Sequence, residues 1–382
     1  MSAFGTQGGG PVFAVLGGGH GGLAAAADLA LRGFRVRLFE LPEFAHTIGP
    51  VAEAGGIQAE VLPSTGLREG FACLDTVTTD IGEAVTGADV VLAIVPSFAH
   101  RRFAEVTAPV VRPGQVVLVA PGNFGGVLEF ALTWKREGRN PGRVTLAEAE
   151  SLIYACRKKG PATIWIRGYK RSLRVAALPA TRTGEVLAVL RQAYPTLESA
   201  QNVLETSLSN PNAPTHLPVM ILNAAHIERT GGHFLFYKEG MTPAVGRVIE
   251  ALDAERLTVG RTLGLSRMRS LYEQDLAWYA HQGTFGDNIC QTNVNNPIYS
   301  WSRAPESFEH RYVTEDVPYG LVPLEHLGAG LGVATPTATA VIHLAGVIAG
   351  RDLRRDARTL SALGLGDVPP ARLLEMVEET GV

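Results

Sequence analysis

Residues 12–40 read VFAVLGGGHGGLAAAADLALRGFRVRLFE, and this stretch decides the fold of the first part of the chain. The apolar run Val12–Leu16 predicts a buried parallel strand, and the glycine-rich turn Gly17–Gly22 follows it directly. The alanine-rich stretch Leu23–Leu31 predicts a helix, and Arg35–Phe39 predicts a second strand. This order of strand, turn, helix and strand is typical of a βαβ unit.

The glycine spacing within the turn predicts a dinucleotide site. Gly17 permits the tight turn, Gly19 lets the backbone approach a pyrophosphate, and Gly22 lets the helix pack closely on the strand. The amide groups at the start of the helix would then face the phosphates. Glu40, at the end of the second strand, can accept hydrogen bonds from an adenosine ribose; the alternative for Glu40 is a solvated acid at a strand end.

The residues around Glu40 favour NAD over NADP as the cofactor. A carboxylate at this position repels a 2′-phosphate, and the following Leu41 and Pro42 supply no cation. Arg35 and Arg37 lie nearby in the sequence, so NADP stays open as the alternative.

Further buried strands continue the nucleotide domain. Ala88–Val95 and Gln115–Ala120 are apolar runs that end in the turns Pro96-Ser97 and Pro121-Gly122-Asn123. Ligands of open α/β sheets bind beyond the carboxyl ends of the strands, so we expect both turns to face the nicotinamide. Asn123 is either a site residue or an ordinary turn residue.

The last strands of this domain are predicted at 143–147, 162–166 and 173–177. The predicted cofactor-binding residues are Gly17, Gly18, Gly19, His20, Gly22, Glu40, Pro96 and Ser97.

From about Ala200 the strand pattern gives way to helical spacing of apolar residues. The predicted helices are 218–230, 241–263, 268–281, 336–350 and 370–379, and the asparagine-rich piece 288–296 is predicted to be a polar loop. The sequence therefore predicts an α/β Rossmann domain with a doubly wound parallel sheet over residues 1–199. A mostly helical substrate and catalytic domain follows over residues 200–382, and the cleft between the two is the expected substrate site.

Composition excludes several classes of protein. With 382 residues, 46% of them hydrophobic and a formal net charge of −3, the chain predicts two folded domains without an electrostatic surface for nucleic acid or membrane. The isolated Cys73, Cys156 and Cys290 have no metal-ligand spacing and suit a reducing compartment. The sequence predicts no signal peptide, and it contains no apolar run of the ~20 residues that a membrane span needs. A cytoplasmic enzyme with small-molecule partners is expected, and a dimer is the expected form of any homo-oligomer.

Two residues of the second half suit acid–base chemistry. His216 lies in NPNAPTHLP, a proline-rich entry to a helix where a side chain can point into a cleft, and Asp316 lies in RYVTEDVPYG. A carboxylate that orients an imidazole and stabilises its cation is a recurrent catalytic device. Whether the two segments meet is left open by the sequence. Five further histidines of this half are interpreted as surface or packing residues, namely His226, His233, His281, His326 and His343.

Five segments together resemble the opine dehydrogenases, the octopine/nopaline dehydrogenase family. They are the GGGHGG turn, the PGN turn, ESLIYACR at residues 150–157, the NPNAPTH segment and the TEDVPYGLVP segment. The likeness spans nearly the whole chain in motif order. It implies an N-terminal Rossmann domain that binds NAD(P)H and a helical domain that carries a catalytic His–Asp pair.

By this resemblance, the enzyme reductively condenses an amino acid with a 2-oxo acid such as pyruvate. His216 is then the general acid–base, Asp316 its orienting partner and Arg311 the ligand of the oxo-acid carboxylate. Asn123 stands where some members carry Gln, and Ser151 occupies a Thr position. Both changes keep hydrogen bonding but leave the substrate identity open.

Two other functions remain as alternatives. A ketopantoate reductase or β-hydroxyacid dehydrogenase has a similar architecture but uses a catalytic Lys from the helical domain. Lys238 is the only Lys after residue 200, and it lacks the surrounding pattern of that class. A non-catalytic NAD-sensing module would need the cofactor site without acid–base residues, which His216 and Asp316 disfavour.

Overall fold

The predicted βαβ unit is present at the start of the chain. In a computed structural model, which describes residues 10–382, it consists of β1 (Phe13–Leu16), α1 (His20–Leu31) and β2 (Val36–Phe39). All four side chains of β1 are fully buried. The helix begins earlier than predicted because the turn itself supplies its first residues: the Leu23 amide already donates to the Gly19 carbonyl at 3.0 Å.

The main sheet of the first part has eight strands in the order β12-β11-β8-β7-β6-β1-β2-β5. The six strands from β5 to β8 in this order run parallel, which confirms the predicted doubly wound, mostly parallel sheet. At the other edge β11 is antiparallel to β8 and β12 is parallel to β11. The strand order reverses between β1 and β6, the place where open α/β sheets bind ligands. The remaining strands are β3 (Gly56–Val61), β4 (Gly70–Cys73), β5 (Thr76–Thr78), β6 (Val90–Ala93), β7 (Val116–Val119), β8 (Thr145–Ala149), β9 (Tyr154–Gly160), β10 (Thr163–Tyr169), β11 (Arg174–Leu178) and β12 (Glu198–Ser199).

A second sheet of four strands, in the order β4-β3-β10-β9, corrects one expectation. The strand predicted at 162–166 exists as β10, but it does not belong to the nucleotide-binding sheet. It pairs antiparallel with its neighbour in sequence, β9, and parallel with β3, about a hundred residues earlier. The local pattern of apolar residues indicates that a segment is a strand but does not indicate which strands it pairs with. Pairing over such a distance depends on the tertiary structure.

Helices cover the first unit and form most of the second. In the first they are α2 (Gly49–Ala54), α3 (Ile81–Val85), α4 (His100–Thr107), α5 (Gly126–Arg136) and α6 (Thr183–Leu190). From residue 203 onwards they are α7 (Val203–Leu208), α8 (Asn212–Leu222), α9 (Ala224–Thr230), α10 (Pro243–Thr262), α11 (Leu271–Tyr279), α12 (Ile289–Asn295), α13 (Arg311–Thr314), α14 (Val322–Gly330), α15 (Pro336–Ala349) and α16 (Pro370–Glu375). The long helices predicted at 241–263, 268–281 and 336–350 are confirmed with ends that differ by at most three residues. None of the described helices is long and apolar enough to cross a membrane.

Two expectations for the second half are wrong. The piece 288–296 is not a loop but contains α12, because Asn288 accepts a hydrogen bond from the Gln291 amide at 3.0 Å as its cap and Ile289 is buried. The helix predicted to start at Pro218 starts six residues earlier, where Asn210 accepts a hydrogen bond from the Asn212 amide at 2.9 Å. Pro218 therefore lies inside α8, and His216 is a helical residue rather than part of an entry loop.

The chain folds into two compact units. The first contains residues 10–122, residues 126–203 and the last residues 376–382; the second contains residues 123–125 and 204–375. The last residues join the first unit through contacts such as the hydrogen bond from Asn202 Nδ2 to Glu378 Oε1 at 2.8 Å. The domain boundary placed at residues 199/200 from the sequence stays a prediction.

Candidate functional site

The glycine turn of the first unit has no room for side chains at its two ends. Gly17 has a φ of +112°, and a Cβ there would lie 2.5 Å from the Ile94 carbonyl oxygen at the end of β6. A Cβ on Gly22 would lie 1.7 Å from the Gly17 carbonyl oxygen. By contrast, nothing lies within 4 Å of a Cβ on Gly19, so the turn is open at this residue. This is the backbone geometry that a pyrophosphate needs above a helix N-terminus.

Glu40 is a structural part of this turn. Its Oε2 accepts the Gly18 amide at 2.7 Å and its Oε1 accepts the Leu41 amide at 2.8 Å, and the residue is only 8% exposed. The interpretation of Glu40 as a solvated strand-end acid is therefore wrong. Each carboxylate oxygen can accept about two hydrogen bonds, so each still has acceptor capacity for a ribose hydroxyl.

Two basic side chains next to the turn add to the candidate cofactor site. The Nδ1 atom of His20 accepts the backbone amide of Lys158 at 2.9 Å, so a neutral His20 ring carries its proton on Nε2 at the start of α1. The Lys158 ammonium donates to the Thr47 carbonyl at 3.0 Å, and Thr47 borders Gly18. Burial lowers the pKa of Lys158 from its ordinary value. His20 was predicted from the sequence and Lys158 was not, since β9 belongs to the second sheet.

The remaining predicted residues of the first unit lie at carboxyl ends of strands. Pro96 and the buried Ser97 follow β6, where Ser97 begins a 3-10 turn. Ser151 is 5% exposed and follows β8. Its neighbour Glu150 is fully buried and forms an ion pair with Arg174 at 3.0 Å, which fixes the backbone from which Ser151 projects.

In the second unit, His216 and Asp316 form a buried pair. His216 Nδ1 lies 2.7 Å from Asp316 Oδ2, with the two residues 8% and 4% exposed. His216 is presented by α8, whereas Asp316 precedes a π-helical turn at Val317–Leu321. Burial raises the pKa of the Asp316 carboxyl, and its hydrogen bond and charge interaction with His216 oppose that rise. An imidazole held this way by a carboxylate has a fixed orientation, with Nδ1 towards the acid.

Aromatic side chains enclose the imidazole. The Tyr312 ring stacks on the His216 ring at 3.7 Å between centroids, and Phe236 packs edge-on at 6.1 Å. The Tyr237 hydroxyl lies 2.7 Å from His216 Nε2. The sequence analysis missed all three. Tyr312 could have been found, because it stands four residues before Asp316, but only the tertiary structure brings in residues 236 and 237.

Arg311 and Asn123 meet at a buried acid that the sequence analysis did not select as a site residue. Arg311 Nε lies 3.2 Å from Glu315 Oε2, and Asn123 Nδ2 donates to Glu315 Oε1 at 3.3 Å. Glu315 is 1% exposed, whereas the Arg311 side chain is 53% exposed. The i, i+4 spacing of an Arg and a Glu was the available signal for this pair.

Asn123 is a turn residue with a buried side chain, and its role as a site residue stays a prediction. Its φ of +49° places it in the left-handed region, as a turn residue, and its side chain is buried against Glu315. The next residue is fixed as well, since the Phe124 amide donates to the Tyr319 carbonyl at 3.1 Å and the Phe124 carbonyl accepts Arg358 Nε at 2.6 Å. Asn123 thus has a defined position in the second unit.

The structure therefore groups the predicted residues into two sets. The first unit carries the glycine turn, Glu40, Pro96, Ser97 and Ser151, and the second carries His216, Asp316, Arg311 and Asn123. Among residues 10–382, no group of three or more His, Cys, Asp or Glu side chains could hold a metal ion. The first unit has a Rossmann-type sheet with a glycine turn and an acid at the end of β2, and the second unit has a buried His–Asp pair. This combination is typical of the NAD(P)-dependent dehydrogenases, the class to which the protein belongs.

Comparison with known proteins identifies the family within that class. The chain is 37% identical over 367 residues to an opine dehydrogenase of Arthrobacter sp. (strain 1C), covering 96% of this chain and 98% of that protein. Residues 199–349 match the family described as NAD/NADP octopine/nopaline dehydrogenase, alpha-helical domain. The chain belongs to the opine dehydrogenase family, and it is an NAD(P)-dependent oxidoreductase of that type.

Solved structures share the fold. A structure of octopine dehydrogenase with NADH and L-arginine superposes with a TM-score of 0.75 at 23% identity, covering 95% of this chain and 98% of that one. A structure of yersinopine dehydrogenase with NADP⁺ superposes with a TM-score of 0.65 at 15% identity, covering 97% and 98%. The resemblance found in the sequence and the predicted fold class are confirmed. Relatives bind either cofactor.

Proposed function

We propose that this enzyme condenses an amino acid with a 2-oxo acid and reduces the resulting imine to an N-(carboxyalkyl) amino acid. The observation that carries the proposal is the 2.7 Å contact between His216 Nδ1 and Asp316 Oδ2 in a member of the opine dehydrogenase family. The pyruvate found with NADH in a structure of octopine dehydrogenase supports a 2-oxo acid as one substrate.

His216 serves as the general acid–base of the condensation. When the amine has added to the oxo carbon, the imidazolium can protonate the departing hydroxyl, which leaves as water and yields the imine. Asp316 keeps Nδ1 of the ring turned inwards and stabilises the imidazolium. The bound nicotinamide cofactor supplies the hydride that reduces the imine carbon.

Arg311 holds the carboxylate of the 2-oxo acid. Its half-exposed guanidinium can meet a substrate carboxylate in a bidentate arrangement, which a Lys cannot reproduce. Glu315 fixes the Nε edge of that guanidinium from the buried side, and the same carboxylate fixes the Asn123 amide. Asn123 and Ser151 are the proposed hydrogen-bonding partners of the substrates.

The substrate assay separates this function from its alternatives. NADH oxidation is followed with pyruvate and a panel of amino acids, and compared with the oxo acid alone. We expect turnover only when both an amine and an oxo acid are present. Turnover with the oxo acid alone would indicate a ketopantoate reductase or β-hydroxyacid dehydrogenase activity. Tight NADH binding without any turnover would indicate a sensing module.

We propose NADH as the preferred cofactor, with Glu40 as the reason. Arg35 pairs with Asp75 at 2.8 Å, and Arg37 donates to the carbonyls of Glu83, Ala84 and Thr86 at 2.6–3.3 Å. The two cations that kept NADP open are therefore engaged by other groups of the first unit, and this supports NADH.

Glu40→Ala is expected to weaken NADH binding more than NADPH binding. The loss of the acceptor for the Gly18 and Leu41 amides affects both cofactors alike. The substitution removes the acceptor of the ribose hydroxyls and also the charge that repels a 2′-phosphate. Dissociation constants from NADH and NADPH fluorescence titrations measure the effect, and Glu53→Ala, on the exposed face of α2, is the control. Equal or tighter NADPH binding by the unaltered enzyme would contradict the assignment.

Lys158 is proposed as a phosphate contact of the same cofactor. If its ammonium meets the pyrophosphate, Lys158→Ala raises the dissociation constants of NADH and NADPH by the same factor, because both cofactors carry that group. The matched control is Lys159→Ala, whose ammonium pairs with Glu60 and lies over the Trp165 ring. A loss confined to NADPH would instead assign Lys158 to the 2′-phosphate and weaken the case for NADH.

A further inference from the structure

Both ring nitrogens of His216 are bound within the second unit. Nδ1 lies 2.7 Å from Asp316 Oδ2, and Nε2 lies 2.7 Å from the Tyr237 hydroxyl oxygen. Tyr312 covers one face of the ring, and only 8% of His216 is exposed. A proton that reaches Nε2 from inside the second unit therefore arrives through the oxygen of Tyr237.

The proposed reaction requires that a proton reach His216 in every turnover. An ammonium group, a 2-oxo acid, NADH and a proton from solvent give a secondary ammonium product, NAD⁺ and water. When His216 has protonated the departing hydroxyl, its imidazole is neutral. It must gain a proton again before it can act as an acid in the next turnover.

Tyr237 connects the imidazole to a small cavity. The cavity measures about 30 Å³ and is lined by His216, Tyr237, Asp275 and Tyr299, among others. This volume has room for water, and several of the lining side chains are polar. Asp275, on α11, is the acidic residue of the lining and is 6% exposed. The Tyr299 hydroxyl donates to Asp275 Oδ1 at 3.3 Å, and the Tyr299 ring stacks on Tyr237 at 4.4 Å.

We propose that Tyr237 relays a proton from the Asp275 side of this cavity to Nε2 of His216, an inference that rests on the proposed function. The Asp275 carboxyl gives a proton to a water in the cavity, and the water gives one to the Tyr237 oxygen. The Tyr237 hydroxyl passes its own proton to Nε2. Each O–H bond that breaks is matched by a new O–H or N–H bond. The net result is the movement of one proton from Asp275 to His216, after which solvent protonates Asp275 again.

The surroundings of Tyr237 suit a relay that never becomes a free tyrosinate. Burial, the neighbouring Tyr312 and the negative charges of Asp316 and Asp275 raise the pKa of Tyr237 well above its ordinary value. The hydroxyl thus keeps its proton at neutral pH and offers both a donor and an acceptor. His216 and Tyr299 are the other titratable groups that face it.

Tyr312 provides the competing route, because its hydroxyl also forms a hydrogen bond with Tyr237. The cavity and the carboxylate favour the Asp275 side, since a carboxyl exchanges protons with water far more readily near neutral pH than a phenol does. The two routes predict opposite results for the variants Asp275→Asn and Tyr312→Phe.

The test compares the first turnover with the following ones. Enzyme that holds NADH and the amino acid is mixed rapidly with the oxo acid, at a pH on the acidic side of its pH–rate profile. In Tyr237→Phe the ring packing is kept and only the hydroxyl is lost. We expect an unchanged first turnover, followed by a steady-state kcat lowered on the order of tenfold, less than the loss from removing the acid itself. The solvent deuterium isotope effect on kcat should rise in this variant.

Three further variants make the outcome decisive. Asp275→Asn should reproduce the slow steady state, Tyr312→Phe should not, and Tyr279→Phe, a buried tyrosine that packs on Tyr299 at 5.8 Å, is the matched control. If Tyr237→Phe lowers the rate of the first turnover and the steady-state kcat by the same factor, the relay is wrong. The relay is also wrong if the steady-state kcat of this variant is unchanged or higher. If Tyr312→Phe slows the steady state and Asp275→Asn does not, the proposed route is wrong. A His216→Ala enzyme with a normal first turnover would refute the proposed function instead.

Discussion

The His216→Ala enzyme is expected to have a kcat lowered by roughly 10²–10⁴-fold, with nearly unchanged affinity for NADH. This is the usual loss when a general acid–base is removed. The affinity should persist because His216 belongs to the second unit, whereas the glycine turn and Glu40 belong to the first. Steady-state kinetics and NADH fluorescence titration measure the two quantities. His226→Ala, an exposed histidine of α9 that stacks on Phe234 at 4.1 Å, is the control.

Asp316→Asn should also lower kcat strongly while the fold is kept. An Asn at this position can donate to Nδ1, which favours the wrong tautomer, and it removes the charge that stabilises the imidazolium. Because residues that act as one unit are non-additive, the double variant should be little slower than the slower single variant. Fully multiplicative losses would show two independent roles and would require another role for Asp316. A near-normal rate in His216→Ala would exclude the acid–base mechanism itself.

Arg311→Lys is expected to raise the KM for the 2-oxo acid far more than the KM for NADH. Lys cannot replace the bidentate contact, and its loss should cost about 1.5–3 kcal/mol, or roughly tenfold to 150-fold in KM. The positive charge is retained, so the partner Glu315 is not left buried without a counter-charge. Initial rates with each substrate varied in turn measure the effect.

The matched control for this substitution is Arg351→Lys, an exposed Arg of the same unit that lies 3.5 Å from Glu309. It should leave all three KM values unchanged. An unchanged oxo-acid KM in Arg311→Lys would place that guanidinium outside the substrate site, as a partner of Glu315 alone.

The first βαβ unit could be predicted almost residue by residue, because its causes are local. The apolar run indicates a buried strand, which the structure has at Phe13–Leu16, and the spacing of the glycines indicates that a helix follows that strand directly. The same holds for α10 and α15, whose apolar spacing decides their position. The errors occurred where polar residues have a structural task. Asn288 caps a helix in a segment predicted to be a loop, and Asn210 starts α8 ahead of its prolines.

The sequence by itself determined the class of fold, the glycine turn with Glu40, and the two segments that carry His216 and Asp316, since each of these depends on neighbours along the chain. Only the tertiary structure decided that these two residues are in contact, one hundred positions apart in the sequence. It also decided that Glu40 accepts the Gly18 amide and that Tyr237 occupies Nε2 of His216. The physical reason is that a hydrogen bond between distant segments depends on how whole helices and strands pack. The spacing of residues along the sequence does not indicate that packing.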